Sequence, residues 1–193
     1  MQKSQLFMIV SVLLLGTLYF LPLWNITLEA PQYPTPIGMN IYINKISDAN
    51  PNDLKNINLM NHYIGMKEIP EHMEEFDIFP IVIASMMVLG LIFAFFGIPR
   101  LYILWFVMMA CLGIIGMYDF YLWEYDYGHN LSAKAAIKFT DELGQPMAYQ
   151  PPLFGAKTIL NFRALSYPRL GAFALMLSMG FSLVAFYFRK KEQ

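Results

Sequence analysis

The chain is poor in charge. Only 14% of its 193 residues are Asp, Glu, Lys or Arg, against about 25% in ordinary soluble domains. It carries one cysteine, Cys111, which excludes an intrachain disulfide and any CxxC chemistry. A lone thiol in an apolar run behaves as a small hydrophobe. Thirteen basic residues nearly balance 14 acidic ones, for a net charge of −1. No basic stripe is present, so no nucleic-acid partner is expected. Neither GxxxxGK[ST] nor GxGxxG occurs, so no nucleotide is expected either. The GxSxG nucleophile elbow is also missing.

What is present is apolar, and it comes in blocks. Hydrophobic residues make up 57% of the chain, and the mean hydropathy is +0.44. Residues 6–24, 78–97, 101–123 and 170–188 are each near the ~20 residues needed to cross a bilayer. They predict an all-α integral membrane protein with four transmembrane helices. The first block ends in LYFLPLW, an aromatic belt, and reads as an uncleaved helix rather than a signal peptide. Two long segments, residues 25–77 and 124–169, are then expected to form a small mixed extracytoplasmic cap. Basic residues flank the blocks at Lys3, Arg100 and Arg189-Lys190-Lys191. With four spans these share one side, and the positive-inside rule makes that side cytoplasmic. The expected location is the bacterial inner membrane, with both termini inside.

In the first outer segment, Pro31, Pro34 and Pro36 hold the chain extended. MNIYINKIS alternates apolar and polar residues and reads as one short strand. NDLKNINLMNHYIGM carries a helical period. On one continuous helix His62 and Met66 would point the same way, with Met60 close by. Imidazole plus thioether is a soft-to-intermediate ligand set that suits Cu(I) better than Mg or Ca. The plainer reading has His62 bonded to a loop carbonyl and Met66 packed against an apolar base.

The second outer segment begins within MYDFYLWEYDYGHNLS. Asp119, Asp126 and His129 are spaced to share one face of a continuing helix. Asp119 alone among carboxylates lies clearly inside a block, where charge is costly and hence a functional candidate. The surrounding Tyr118, Tyr121, Trp123, Tyr125 and Tyr127 read as an interfacial belt. Gly128 is expected to end the helix and leave His129 in a turn. Farther on, Met147 offers another thioether, and LFGAKTILNF reads as an amphipathic or re-entrant segment on the membrane. Each outer segment thus supplies histidine and methionine. Together they could build one metal centre from His62, Met66 and His129, with Met60, Asp126 and Met147 as second choices. A separate reading takes Asp119, Glu124 and His129 as acid/base groups of an enzyme acting on lipid or quinone.

The phrases LPLWNITLEAPQYP, NINLMNHYIGM, YDYGHN and PPLFGAKTILNF extend over nearly the whole chain. As a set they resemble a family of small four-span membrane proteins associated with nitrous-oxide-reductase and other copper-handling gene neighbourhoods in bacteria. The resemblance implies a role in copper delivery or in assembly of a periplasmic copper enzyme, and it supplies no ligand roles. The leading expectation is a non-enzymatic accessory protein that binds or delivers copper on the outer side. Its partners would be the lipid bilayer and a periplasmic or membrane protein. The rival expectation is a structural subunit of a larger membrane complex, docked through the cap.

Overall fold

The computed structural model describes residues 2–70, 72–138, 140, 144 and 147–192. Helix α1 spans Lys3–Gly16 and tightens into a 3-10 turn at Thr17–Tyr19. Three strands follow, β1 (Trp24–Glu29), β2 (Ile37–Ile41) and β3 (Ile46–Asp48). Then come α2 (Asp53–Ile64), α3 (Glu75–Phe96) and α4 (Pro99–His129). Strands β4 (Gly155–Ile159) and β5 (Phe162–Pro168) lead into α5 (Leu170–Glu192).

The expected all-α class is wrong. The fold is mixed α/β, with one five-stranded antiparallel sheet in the order β3-β2-β1-β5-β4. The cause lies in local alternation. In β1, Trp24, Ile26 and Leu28 point to one face, while Asn25 and Thr27 point to the other. The expected single strand MNIYINKIS is two strands, because the chain reverses at Tyr42–Lys45, where Tyr42 N donates to Lys45 O at 2.9 Å. LFGAKTILNF does not lie on a membrane. It forms β4 and the start of β5, with Ile159 paired to Phe162 across a Leu160-Asn161 turn. Leu160 adopts φ 57 there. A hairpin turn of this kind usually advertises itself with Asn-Gly or Asp-Gly, and leucine hides it.

The count of four membrane spans also fails. Helices α3, α4 and α5, with 22, 31 and 23 residues, are long and apolar enough to cross a membrane. Helix α1 has only 14 residues. The apolar run from residue 6 to 24 is not one helix, since the α-helix stops at Gly16 and Trp24 already belongs to the sheet.

The four apolar helices still form one bundle. α1 packs on α3 and α5, and α4 packs on α3 and α5. Small residues let α1 and α5 approach closely. Ser11 Oγ donates to Ser178 O at 2.6 Å, and Ser178 Oγ returns the bond to Ser11 O at 2.7 Å. At one end, Ser4 Oγ donates to Glu192 Oε2 at 2.7 Å, Gln5 Nε2 donates to Ala94 O at 3.1 Å, and the Arg189 guanidinium donates to Gly97 O. That end gathers the start of α1, the α3–α4 turn and the finish of α5. At the opposite end β1 continues from α1, and β5 feeds α5. Arg169 N bonds Leu23 O and Gly171 N bonds Pro22 O, both at 2.9 Å. The sheet is therefore seated directly on the bundle.

Helix α4 is longer than a bilayer requires. Its 31 residues reach about 46 Å at 1.5 Å per residue, whereas hydrocarbon takes about 20 residues. From about Phe120 onward the helix stands clear of that stretch. There Phe120, Trp123 and Tyr127 pack against Trp24, Ile26 and Ile57 of the sheet and α2.

A candidate binding site between the sheet and two helices

The inner face of the sheet, α2 and the outer end of α4 enclose a cavity of about 370 Å³. Its wall is almost wholly apolar, with Ile26 and Leu28 from β1, Met39 from β2, Ile57 from α2 and Ile159 from β4. The volume falls within the roughly 300–1,000 Å³ common for small-molecule sites.

Each wall has a local reason to stand where it does. Helix α2 presents Ile57, Met60 and Ile64 at helical spacing, and all three line the cavity. The start of α2 is tied to the sheet by Asp53, which is 4% exposed. Its Oδ2 accepts from Gly38 N (2.8 Å), Asn50 N (2.9 Å) and Asn50 Nδ2 (3.1 Å). Asp48 Oδ1 takes the Leu54 N–H at 2.6 Å, which satisfies one of the free donors of the first turn. α2 ends at Ile64 because Gly65 turns left-handed at φ 81. The segment after α4 then closes over it. Ser132 N donates to Gly65 O (2.8 Å) and Ile137 N to Tyr63 O (2.9 Å).

Gly128 does not end α4, as its sequence context suggested. The helix runs through His129. The glycine instead lets another segment lie on the helix surface. Tyr149 N donates to Gly128 O at 2.9 Å, and a Cβ at position 128 would strike the Gln150 backbone. Gly128→Ala is therefore expected to lift the 147–150 segment off α4 and open one side of the cavity. Limited proteolysis reads this as faster cutting near Lys157 in the variant. Equal rates in variant and wild type would show that the segment is held by other contacts.

Among the described residues two carboxylates are buried, Asp53 and Glu124. Asp53 has three donors. Glu124, on α4 and 0% exposed, has none for either oxygen, and it lines the cavity. Trp123 beside it also lines the cavity, and its indole N–H has no acceptor either. The Tyr127 hydroxyl lies near that N–H but outside hydrogen-bond geometry, and donates its own proton to Glu68 O at 2.8 Å. Burial pushes the Glu124 carboxyl up to about 8, with the Lys157 ammonium pulling part of the way back. Desolvation penalises the anion and leaves the neutral acid almost untouched. At neutral pH the site therefore offers an acid O–H and an indole N–H in an apolar wall.

Of the six residues expected as metal ligands, the three methionines lie in or beside the cavity, whereas His62, His129 and Asp126 lie outside its wall. His62 is exposed and meets the Tyr63 ring edge-on at 6.0 Å. Met66 follows the end of α2, so the four-residue spacing does not align it with His62 on one helix. Met66 lines the cavity with Met60, whose sulfur accepts a 3.6 Å bond from Gln32 Nε2. Met147 packs on the neighbouring cluster around Tyr149 and Ile159. His129 is exposed, stacks on Tyr125 at 4.0 Å and donates from Nδ1 to Tyr125 O at 3.0 Å. Asp126 pairs with Lys67, and that ammonium holds its carboxyl below the usual range. Among the described residues no group of three or more His, Cys, Asp or Glu could hold a metal ion. The acid/base trio also separates, since Glu124 is in the cavity wall while His129 is out on Tyr125.

From sequence, Glu124 stands out only as a member of that trio, and Trp123 only as part of an aromatic belt. The signal available was a carboxylate inside an aromatic run, YLWEYDY, but the sheet that covers it was not legible. Comparison of the chain with protein-family models, curated proteins and solved structures gave no match, so the geometry of this cavity stands as the basis for function.

Proposed function

We propose that this chain is a non-enzymatic, membrane-anchored accessory protein that binds a small, mostly apolar molecule in the cavity between its sheet and helices. The observation that carries the reading is a ligand-sized apolar cavity with one buried carboxyl group in its wall. The anchor is the helix bundle. Lys3, Arg100 and Arg189-Lys190-Lys191 belong to the bundle end opposite the sheet, which supports cytoplasmic termini and a cavity outside a bacterial inner membrane.

The test is calorimetric titration of ethylnaphthalene, a hydrocarbon probe, into the full chain in lipid nanodiscs. Met66→Trp places a bulky ring on the cavity wall. It should weaken binding about tenfold or more, equivalent to 1.4 kcal/mol. An affinity unchanged by Met66→Trp and by Met60→Trp would place the probe in the lipid and sink the reading.

A second reading keeps the metal. The thioethers of Met39, Met60 and Met66 line the same cavity, and such soft donors suit Cu(I). Copper would then be the cargo, passed to a periplasmic metalloenzyme. A Cu(I) competition titration separates the two. Copper binding lost in Met60→Leu and Met66→Leu but kept in His62→Ala and His129→Ala would favour it. Wild type that fails to compete for Cu(I) would remove it.

A further inference from the structure

The cavity has a polar corner, and its chemistry restricts what can enter. Of the four buried polar atoms that lack partners among the described residues, three, both Glu124 oxygens and Trp123 Nε1, belong to this wall, and the fourth, the Tyr102 hydroxyl, lies in the helix bundle. The other two tryptophans are satisfied. Trp24 Nε1 donates to Ser166 Oγ at 2.7 Å, and Trp105 Nε1 donates to Met86 O at 2.9 Å. Of the remaining polar groups in the wall, the Tyr127 hydroxyl donates to Glu68 O, and Asn61 Nδ2 donates to Lys67 O at 3.1 Å. The fully buried side-chain atoms of the wall left without a partner are thus the indole N–H of Trp123 and the carboxyl group of Glu124.

Resting on the binding function proposed above, we infer that the guest is a neutral apolar molecule bearing a carbonyl oxygen, of the ketone, quinone or ester class, accepted by Glu124 in its acid form and by the Trp123 indole N–H. A carbonyl oxygen has two lone pairs and can take both donors. It brings no charge, so it enters an apolar wall without the desolvation cost of an ion. A protonated amine would suit only an ionised Glu124, and it would leave the indole N–H unpaired. A plain hydrocarbon would leave all three atoms unpaired, which is how buried polar groups enforce specificity.

The pH dependence has a definite sign. The charged group acting on Glu124 is Lys157 on β4. The titratable groups sharing the wall are the phenols of Tyr63 on α2, Tyr127 on α4 and Tyr149 on the segment above it. Glu124 donates while protonated, so ketone binding holds below about 8 and declines as pH rises through that value.

The experiment compares acetonaphthone, ethylnaphthalene and naphthylethylamine, which differ only at the polar group, on the full chain in nanodiscs. Acetonaphthone should bind about tenfold more tightly than ethylnaphthalene, as expected for a buried polar pair satisfied. Its affinity should fall above pH 8. Glu124→Gln keeps an N–H donor, so it should retain ketone binding and lose the pH dependence, whereas Glu124→Ala should reduce the ketone to the hydrocarbon's affinity. In protein with ¹⁵N-labelled tryptophan, acetonaphthone should move the Trp123 indole resonance downfield and leave those of Trp24 and Trp105 in place. These readouts on wild type stand even if a variant fails to fold. Equal binding of ketone and hydrocarbon in the cavity would overturn the inference while leaving the apolar-binding function intact. Tighter binding of the amine as pH rises would overturn it in favour of a cationic guest. If ethylnaphthalene also ignores Met66→Trp, the function itself has failed.

Discussion

Asp53→Ala is expected to cost the sheet domain about 3 kcal/mol, the upper end for removing a charged acceptor and leaving a buried donor unpaired. The carboxylate gathers Gly38 N, Asn50 N and Asn50 Nδ2 within 3.1 Å. Truncation leaves the Gly38 N–H unpaired in a buried position, at the point where α2 joins β2. The cost of such orphaned donors, rather than the loss of attraction, makes the effect large. α2 carries one wall of the cavity, so it should loosen as a unit. Trypsin should then cut at Lys55, within α2, far faster than in wild type. Asp53→Asn keeps one acceptor oxygen and should lose markedly less. If Asp53→Ala resists trypsin as wild type does, α2 is held by its apolar face alone.

The second large effect is expected in the bundle. Trp105 of α4 is 0% exposed. Its ring fills the space that Gly90 of α3 leaves open, and a Cβ on Gly90 would come within 3.0 Å of Trp105 Nε1 and 2.5 Å of Val12 of α1. The indole N–H also satisfies the Met86 carbonyl, at 2.9 Å. Trp105→Ala removes the side chain on which α1, α3 and α4 converge. Lipid tails are as apolar as a helix interface, so little of the loss is transfer out of water. It is lost packing, a residual void and a weakened Met86 carbonyl, together about 3 kcal/mol, at the low end for truncating a buried tryptophan. Unfolding by SDS in mixed micelles measures it. Leu104→Ala is the comparison, since Leu104 is 46% exposed on the outer surface of the bundle and should change stability by about 0.5 kcal/mol or less. Equal midpoints for the two variants would mean that α4 does not pack as the structure describes.

Both predictions concern contacts between separate elements of the fold, and a local sequence pattern does not report which elements meet. The blocks at residues 78–97, 101–123 and 170–188 were legible because a long apolar run has few alternatives to a helix when every backbone group must be paired internally. They correspond to α3, α4 and α5. The helical period of Asp53–Ile64 was legible for the same local reason. The block at 6–24 misled because composition does not report where a helix yields to a strand, and Trp24 is apolar in either state. β4 and β5 were misread because Leu160 takes a turn position that glycine or asparagine usually marks.

For the site, the sequence by itself determined a largely apolar chain and a carboxylate set among aromatics at Glu124. It could not determine that this carboxylate is buried, because α4 alone would leave Glu124 in water. Burial comes with the sheet, in which β1 pairs with its neighbour β2 on one side and with β5, more than a hundred residues away, on the other, and with the 147–150 segment laid over Gly128. His62 and Met66 part for a local reason. A spacing of four residues places side chains together only while the helix continues, and Gly65 ends it. Helix-forming runs are written in nearest neighbours, whereas a cavity exists only between surfaces that the chain brings together after it has folded.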